Sequence, residues 1–255
     1  MILRYTYLIR SSWTRWIELA YWPLVQMLMW GFLQKHLAAN SSLFAQAAGL
    51  LIGSVLLWDI LFRGKLGFSV SFLEEMWSRN IGQLMLSPLR SHEFLMALST
   101  MSLIRLSVGV LPVIVMARVL FGFDLFSLGL PLGAFFANLI LTSWALALVT
   151  SGIILRFGLG AEELAWTFGF VLLPLCCVYY PLEVLPTWLR PISLALPPTH
   201  VFEGMRAILI EGVYRPDLMW RALGLNLVFL TVGFFAFRAF LRSARINGSL
   251  SQLGE

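Results

Sequence analysis

Between Asp124 and Arg156 the chain carries no charged side chain. A helix crossing the hydrocarbon layer of a bilayer, roughly 30 Å thick, needs about 20 mostly apolar residues, so the rest of the chain must fold around a segment that belongs in lipid. Other stretches obey the same rule. "LAYWPLVQMLMWGFLQ" lies between Glu18 and Lys35, and "QAAGLLIGSVLLW" closes the uncharged stretch from Lys35 to Asp59. A third apolar region runs from Phe94 to Phe121, interrupted by Arg105; a fifth lies between Glu163 and Glu183, and a sixth, "ALGLNLVFLTVGFFAF", between Arg221 and Arg238. Of the 255 residues 59% are hydrophobic and 12% charged, against about 45–50% and about 25% in soluble domains. Backbone amides with no water partner leave only helices or a closed barrel, and the period of two that barrel strands require is missing. The expected fold is an all-α integral membrane protein, one domain over residues 1–255 with six transmembrane helices.

Lysines and arginines set the orientation of such a chain. With six spans the termini share one side, which collects Arg4, Arg10, Arg15, Arg63, Lys65, Arg79, Arg90, Arg156, Arg238, Arg242 and Arg245. The other side holds Lys35, Arg118, Arg190, Arg206, Arg215 and Arg221, several of them in one long loop that weighs little. Both termini are therefore expected in the cytoplasm, and the net charge of +5 reflects this bias rather than nucleic-acid binding. The first eighteen residues do not read as a signal peptide, because arginines interrupt every apolar run and no small-residue cleavage site follows. Arg4, Arg10 and Arg15 alternate there with Tyr5, Leu8, Trp13 and Trp16, which suits an amphipathic helix in the headgroup layer and equally a plain basic flank. Cys176 and Cys177, the only cysteines, are adjacent within the fifth run and are assigned to packing rather than to a disulfide.

Catalytic chemistry finds little support. Nucleotide hydrolysis needs a glycine-rich phosphate loop ending in Lys and a hydroxyl residue, whereas the chain has only Lys35 and Lys65, and "FRGKLG" lacks both the upstream glycine and the hydroxyl. His36, His92 and His200 are far apart, and none pairs with a Glu at helical spacing within a span; His92 beside Glu93 reads as a solvated loop histidine. A membrane-embedded enzyme would have to rely on His200, beside Pro197 and Pro198, or on Asp59. Ion-coupled secondary transport needs ionisable groups inside the spans, and only Asp59 and Arg105 qualify. Arg63, four residues beyond Asp59, can neutralise it as an i, i+4 pair, while Arg105 can snorkel or reach Asp59 across helices.

Two regions carry more information. In "FLEEMWSRNIGQLMLSPLRSHEFLMALS", Glu75 and Arg79 are spaced i, i+4, and Trp77, Ile81, Leu84 and Met85 form one apolar stripe of a short helix. Ser87 and Pro88 suit an N-cap and first helical position, so a second helix is expected to start there. A helix, a break and a new helix make a rigid cytoplasmic elbow, or else an ordinary interhelical turn. In "YYPLEVLPTWLRPISLALPPTHVFEGMRAILIEG", Pro181, Pro186, Pro191, Pro197 and Pro198 cannot all lie in one spanning helix. The segment is too apolar for a free loop, so it is expected to dip into the membrane from the outer side as short broken helices, with Trp188 as an interfacial anchor.

Together these regions resemble the permease subunits of type-2 ATP-binding-cassette transporters. The resemblance rests on an acidic and basic run, a glycine and a leucine-rich "SPL" after the second span, here Glu74, Glu75, Arg79, Gly82, Leu84, Leu86, Ser87, Pro88 and Leu89. It rests equally on a proline-rich re-entrant segment followed by a Glu and Arg pair, here Pro181, Leu185, Pro186, Pro197, Glu203 and Arg206. Asn80 and Ile81 depart from the Glu and Gly step common there. The resemblance implies a coupling helix at the elbow that docks on a separate cytoplasmic ATPase, which would hold the ATP and Mg, so that this chain binds no cofactor itself. It further implies two permease copies with two ATPase subunits among the lipids of a cell membrane, that of a bacterial inner membrane. Spans 2 and 5 would line a path for an amphipathic compound: lipid, lipid-linked glycan or drug. The "EAA…G" loop of importers is not found, which favours export.

Overall fold

The computed structural model describes residues 4–7, 13–40, 49–78, 80–86 and 90–246. Among them every regular element is helical. The helices are α1 (Trp13–Asn40), α2 (Leu50–Trp77), α3 (Ile81–Leu86), α4 (Ser91–Phe121), α5 (Pro131–Phe157), α6 (Glu163–Leu175), α7 (Arg190–Leu194), α8 (Pro197–Arg206) and α9 (Pro216–Ile246). Short 3-10 turns fill Leu125–Leu128, Leu159–Ala161 and Leu182–Val184, and a π-helical turn, Ala207–Glu211, follows α8. By length and apolarity, three helices of the described residues can cross a membrane: His92–Phe121 in α4, Pro131–Phe157 in α5 and Pro216–Ala244 in α9.

Several boundaries differ from those read in the sequence. Residues 13–18 are continuous with the first long helix and residues 4–7 are helical; residues 8–12, with Leu8 and Arg10, and the side chains of Arg15 and Trp16 lie outside the described residues. The second helix does not stop at Asp59. It runs for 28 residues in all, from Leu50 to Trp77, about 42 Å at 1.5 Å per residue, and carries Asp59, Arg63 and Lys65 within the bundle. Lys65 is fully buried and Arg63 half-buried, so neither is a freely solvated side chain. The fifth run is helical only over the 13 residues of α6, about 20 Å. Pro174 lies in its last turn, and the chain then turns at Cys177, a non-glycine residue in the left-handed region at φ 54°.

Small residues let the long helices approach. A Cβ on Gly67 of α2 would stand 3.0 Å from Ser102 Cα of α4, and one on Gly233 of α9 would stand 2.8 Å from the Ala145 carbonyl oxygen of α5, the close backbone packing typical of helices in lipid. Buried amides and hydroxyls bond across the same contacts. Asn226 Nδ2 donates to the backbone oxygen and to Oδ1 of Asn138, both at 3.0 Å, and Thr142 Oγ1 donates to Asn226 Oδ1 at 2.6 Å. Ser102 Oγ donates to Gly64 O at 2.6 Å and accepts from Trp144 Nε1 at 3.2 Å. Contacts between α5 and α9 ascend together along both helices, 138 with 226, 145 with 233, 152 with 237, so the two run parallel. The chain between them must therefore travel back along the bundle.

Candidate functional site

The polar island around residue 80 is built on the end of α2. Glu75 is fully buried there. Its Oε2 lies 3.2 Å from the Arg4 guanidinium and accepts from Asn80 Nδ2 at 2.8 Å, while the Asn80 backbone N–H closes on Glu75 O at 3.0 Å. Asn80, the departure from the family pattern, thus forms the bend itself, holding the chain as it leaves α2. Tyr5, also fully buried, donates to Ser71 O at 3.3 Å. Burial, and then the neighbouring Glu75 carboxylate, push its phenol above the ordinary range.

Glu74 serves a second helix. Arg105 of α4 donates from Nη2 to its Oε2 at 2.7 Å. Arg105 Cβ stands beside Gly67, 3.4 Å from a Cβ built there, so the side chain runs along α2 toward the elbow to reach its partner, a snorkelling arginine that ends on a carboxylate. Arg105 therefore does not pair with Asp59. That residue has its expected i, i+4 contact with Arg63, but a long one of 3.9 Å. Arg63 also donates to Leu19 O of α1 at 2.6 Å, and Asp59 Oδ2 finds no hydrogen-bond partner.

Past the bend, α3 begins at Ile81, so Trp77 is not on the same helix as Ile81 and Leu84. The intervening turn at Ser78 and Asn80 interrupts the stripe. Trp77 instead donates from Nε1 to Glu162 Oε2 at 3.1 Å, joining the elbow to the turn between α5 and α6. Ile81 is buried in the core and Leu84 packs against the same cluster. Gly82 faces away, with nothing within 4 Å of a Cβ placed on it, and Gln83 is exposed. Arg79, Ser87, Pro88 and Leu89, with the side chains of Met85 and Leu86, lie outside the described residues. The helix expected to start at Ser87 and Pro88 starts at Ser91 instead. Arg90 before it is extended, and its backbone N–H donates to the Glu93 carboxylate at 2.9 Å, so His92 and Glu93 belong to a first helical turn rather than to a loop.

The proline-rich segment forms short broken helices, as its sequence requires. Glu203 and Arg206 of α8 hold it to the end of α6. Glu203 Oε1 accepts from Leu182 N–H at 2.9 Å and from Arg206 Nη1 at 2.8 Å. Arg206 is itself buried, and its Nη2 donates to the backbone oxygens of Cys177 and Val178, groups left without helical partners by the turn after α6. Pro197 and Pro198 open α8, where their missing N–H groups cost nothing. Leu185 is buried, whereas Pro181, Pro186 and Trp188 are exposed. Cys176 and Cys177 are free thiols. Cys177 Sγ lies 3.3 Å from Ser193 Oγ, and His200 Nε2 lies 2.9 Å from Leu194 O.

Sequence reasoning missed Arg4, Tyr5, Trp77 and Glu162 as partners of the elbow, since nothing local marks a contact across 66 or 85 residues. Asn138 and Thr142, four apart in an uncharged run, are a readable signal for the buried amide cluster.

Three long apolar helices, with Glu74, Glu75, Glu203 and Arg206 spent on bends and helix ends, describe a membrane-embedded helical bundle. Residues 5–210 match the family model described as ABC-2 type transporter, and the chain belongs to that family. It is thus a multi-pass membrane protein and a transport component, not itself catalytic, and its family implies a partner ATP-binding subunit. No curated protein matches the chain significantly.

Proposed function

We propose that this chain is the transmembrane subunit of an exporter, that two copies enclose the path of an amphipathic compound, and that α3 is where a separate cytoplasmic ATPase docks. The observation that carries the reading is the two-sidedness of α3. Ile81 and Leu84 fix it to the bundle while Gly82 and Gln83 face out, and the carboxylates just before it are clamped by Arg4 and Arg105. A push on α3 is therefore passed to the N-terminal turn and to α4 rather than absorbed by a loose connection. ATP would drive transport by favouring one docked state over the other, which requires α3 to bind differently in the two.

Six crossings are the reading that fits the parallel run of α5 and α9, with α6 and the proline-rich segment together carrying the chain back. The basic residues of the elbow and of the end of α9 favour a cytoplasmic location for that end, in the bacterial inner membrane. Export rather than import follows from the family resemblance of the elbow and the re-entrant segment. Glu203 and Arg206 would act there as an outer gate.

A Gly82→Trp substitution tests the docking surface, because among the described residues nothing lies within 4 Å of a Cβ placed there. The variant should reach the membrane in normal amount, lose a co-purifying subunit carrying a nucleotide-binding loop, and lose ATP turnover by at least tenfold. Full retention of the ATPase and of transport would reduce α3 to a connecting turn.

A further inference from the structure

An apolar groove of about 220 Å³ opens on the flank of the bundle between α5, α6 and α9, lined by Ala145, Val149, Phe168, Val228 and Val232 among others. Val228 and Val232 are exposed. In a chain embedded in a bilayer a groove on this flank opens toward hydrocarbon or a second copy, and its lining is almost wholly apolar. Arg156 lies seven residues beyond Val149 on α5. Seven residues are nearly two turns, so both side chains share one face, about 10 Å apart along the axis. The Arg156 guanidinium lies over the rings of Phe157 at 5.4 Å and Phe240 at 6.0 Å, and among the described residues no carboxylate pairs with it. Phe240 belongs to α9, so this arginine sits at the end of the same two helices that wall the groove. Arg238, over the ring of Phe234 at 5.8 Å, adds positive charge at that level of α9.

We propose that this flank is a binding site for an anionic phospholipid of the surrounding bilayer, with one acyl chain in the groove and the headgroup phosphate on Arg156. The apolar cleft fits the chain and the unpaired cation fits the phosphate, and the spacing between them is that between headgroup and acyl region of one lipid. The site rests on the placement of the bundle in a bilayer and is independent of which compound is transported.

The test uses the purified full chain in vesicles of equal parts phosphatidylcholine and phosphatidylglycerol, with a trace of either lipid bearing a photoreactive group midway along an acyl chain. Adducts should concentrate at residues 145–150 and 228–232 and be about fivefold more abundant with the phosphatidylglycerol probe, the weight of one basic side chain at an anionic surface. Arg156→Gln should remove most of the preference between the two probes, Arg156→Lys should keep most of it, and Val232→Trp should remove the adducts of both by filling the groove. Equal labelling of the unaltered chain by the two probes, or adducts spread evenly over the exposed faces of α9, would overturn the site.

Discussion

Glu74 and Asp59 are both carboxylates on α2 with an arginine nearby, yet their geometry ranks them. The Glu74 contact to Arg105 is a hydrogen bond of 2.7 Å between side chains that are each about one-tenth exposed. The Asp59 contact to Arg63 is 3.9 Å long, and Arg63 keeps a backbone oxygen of α1 as a second partner. Removing one member of a buried pair strands the other charge, at a cost of ~3 kcal/mol or more. Glu74→Gln should therefore lower the thermal unfolding temperature in detergent more than Asp59→Asn does. The exchanged pair Glu74→Arg with Arg105→Glu should recover part of the loss, as a double-mutant cycle would measure. A more damaging Asp59→Asn would reverse this ranking of the two pairs, whereas an Asp59→Asn that left the fold intact while making transport insensitive to a proton gradient would make Asp59 a relay rather than half of an ion pair.

Helices meet the water at particular residues, and accessibility can read the side. Thr187, in the proline-rich segment, and Ser78, at the bend after α2, are both exposed. With the elbow facing the cytoplasm, cysteine at Thr187 should react with an impermeant thiol reagent added to intact cells, and cysteine at Ser78 should react only after permeabilisation. The reverse pattern would invert the bundle. The native thiols should stay silent, since Cys176 and Cys177 are buried. At the elbow, the inward packing of Leu84 changes how a charged substitution is interpreted: an aspartate there would disturb the bundle as well as any docked partner. The outward Gly82 is the position that separates the two effects.

One chain of this fold supplies only part of a pump. The family implies an ATP-binding partner, and many exposed apolar side chains along α1, α6 and α9 must face lipid or another copy. The solubilised complex should have the mass of two copies of this chain with two ATPase subunits, by light scattering corrected for detergent. A single permease copy with full substrate-stimulated ATP turnover would show that the path does not lie between copies.

The sequence by itself determined that this chain lives in a membrane, where its apolar runs lie, and that the segment from Pro181 to Pro198 breaks into short helices. Hydropathy is a local sum, and a proline removes its donor wherever it stands, so neither needs the rest of the molecule. The tertiary structure decided that α2 continues through Asp59, Arg63 and Lys65, that Arg105 reaches Glu74, that Glu75 holds Arg4 and Asn80, and which face of α3 is left outside. Those outcomes depend on distances between helices remote in the chain. A buried charge takes whichever partner the packing brings within a few ångströms, and residue spacing along one helix cannot announce it.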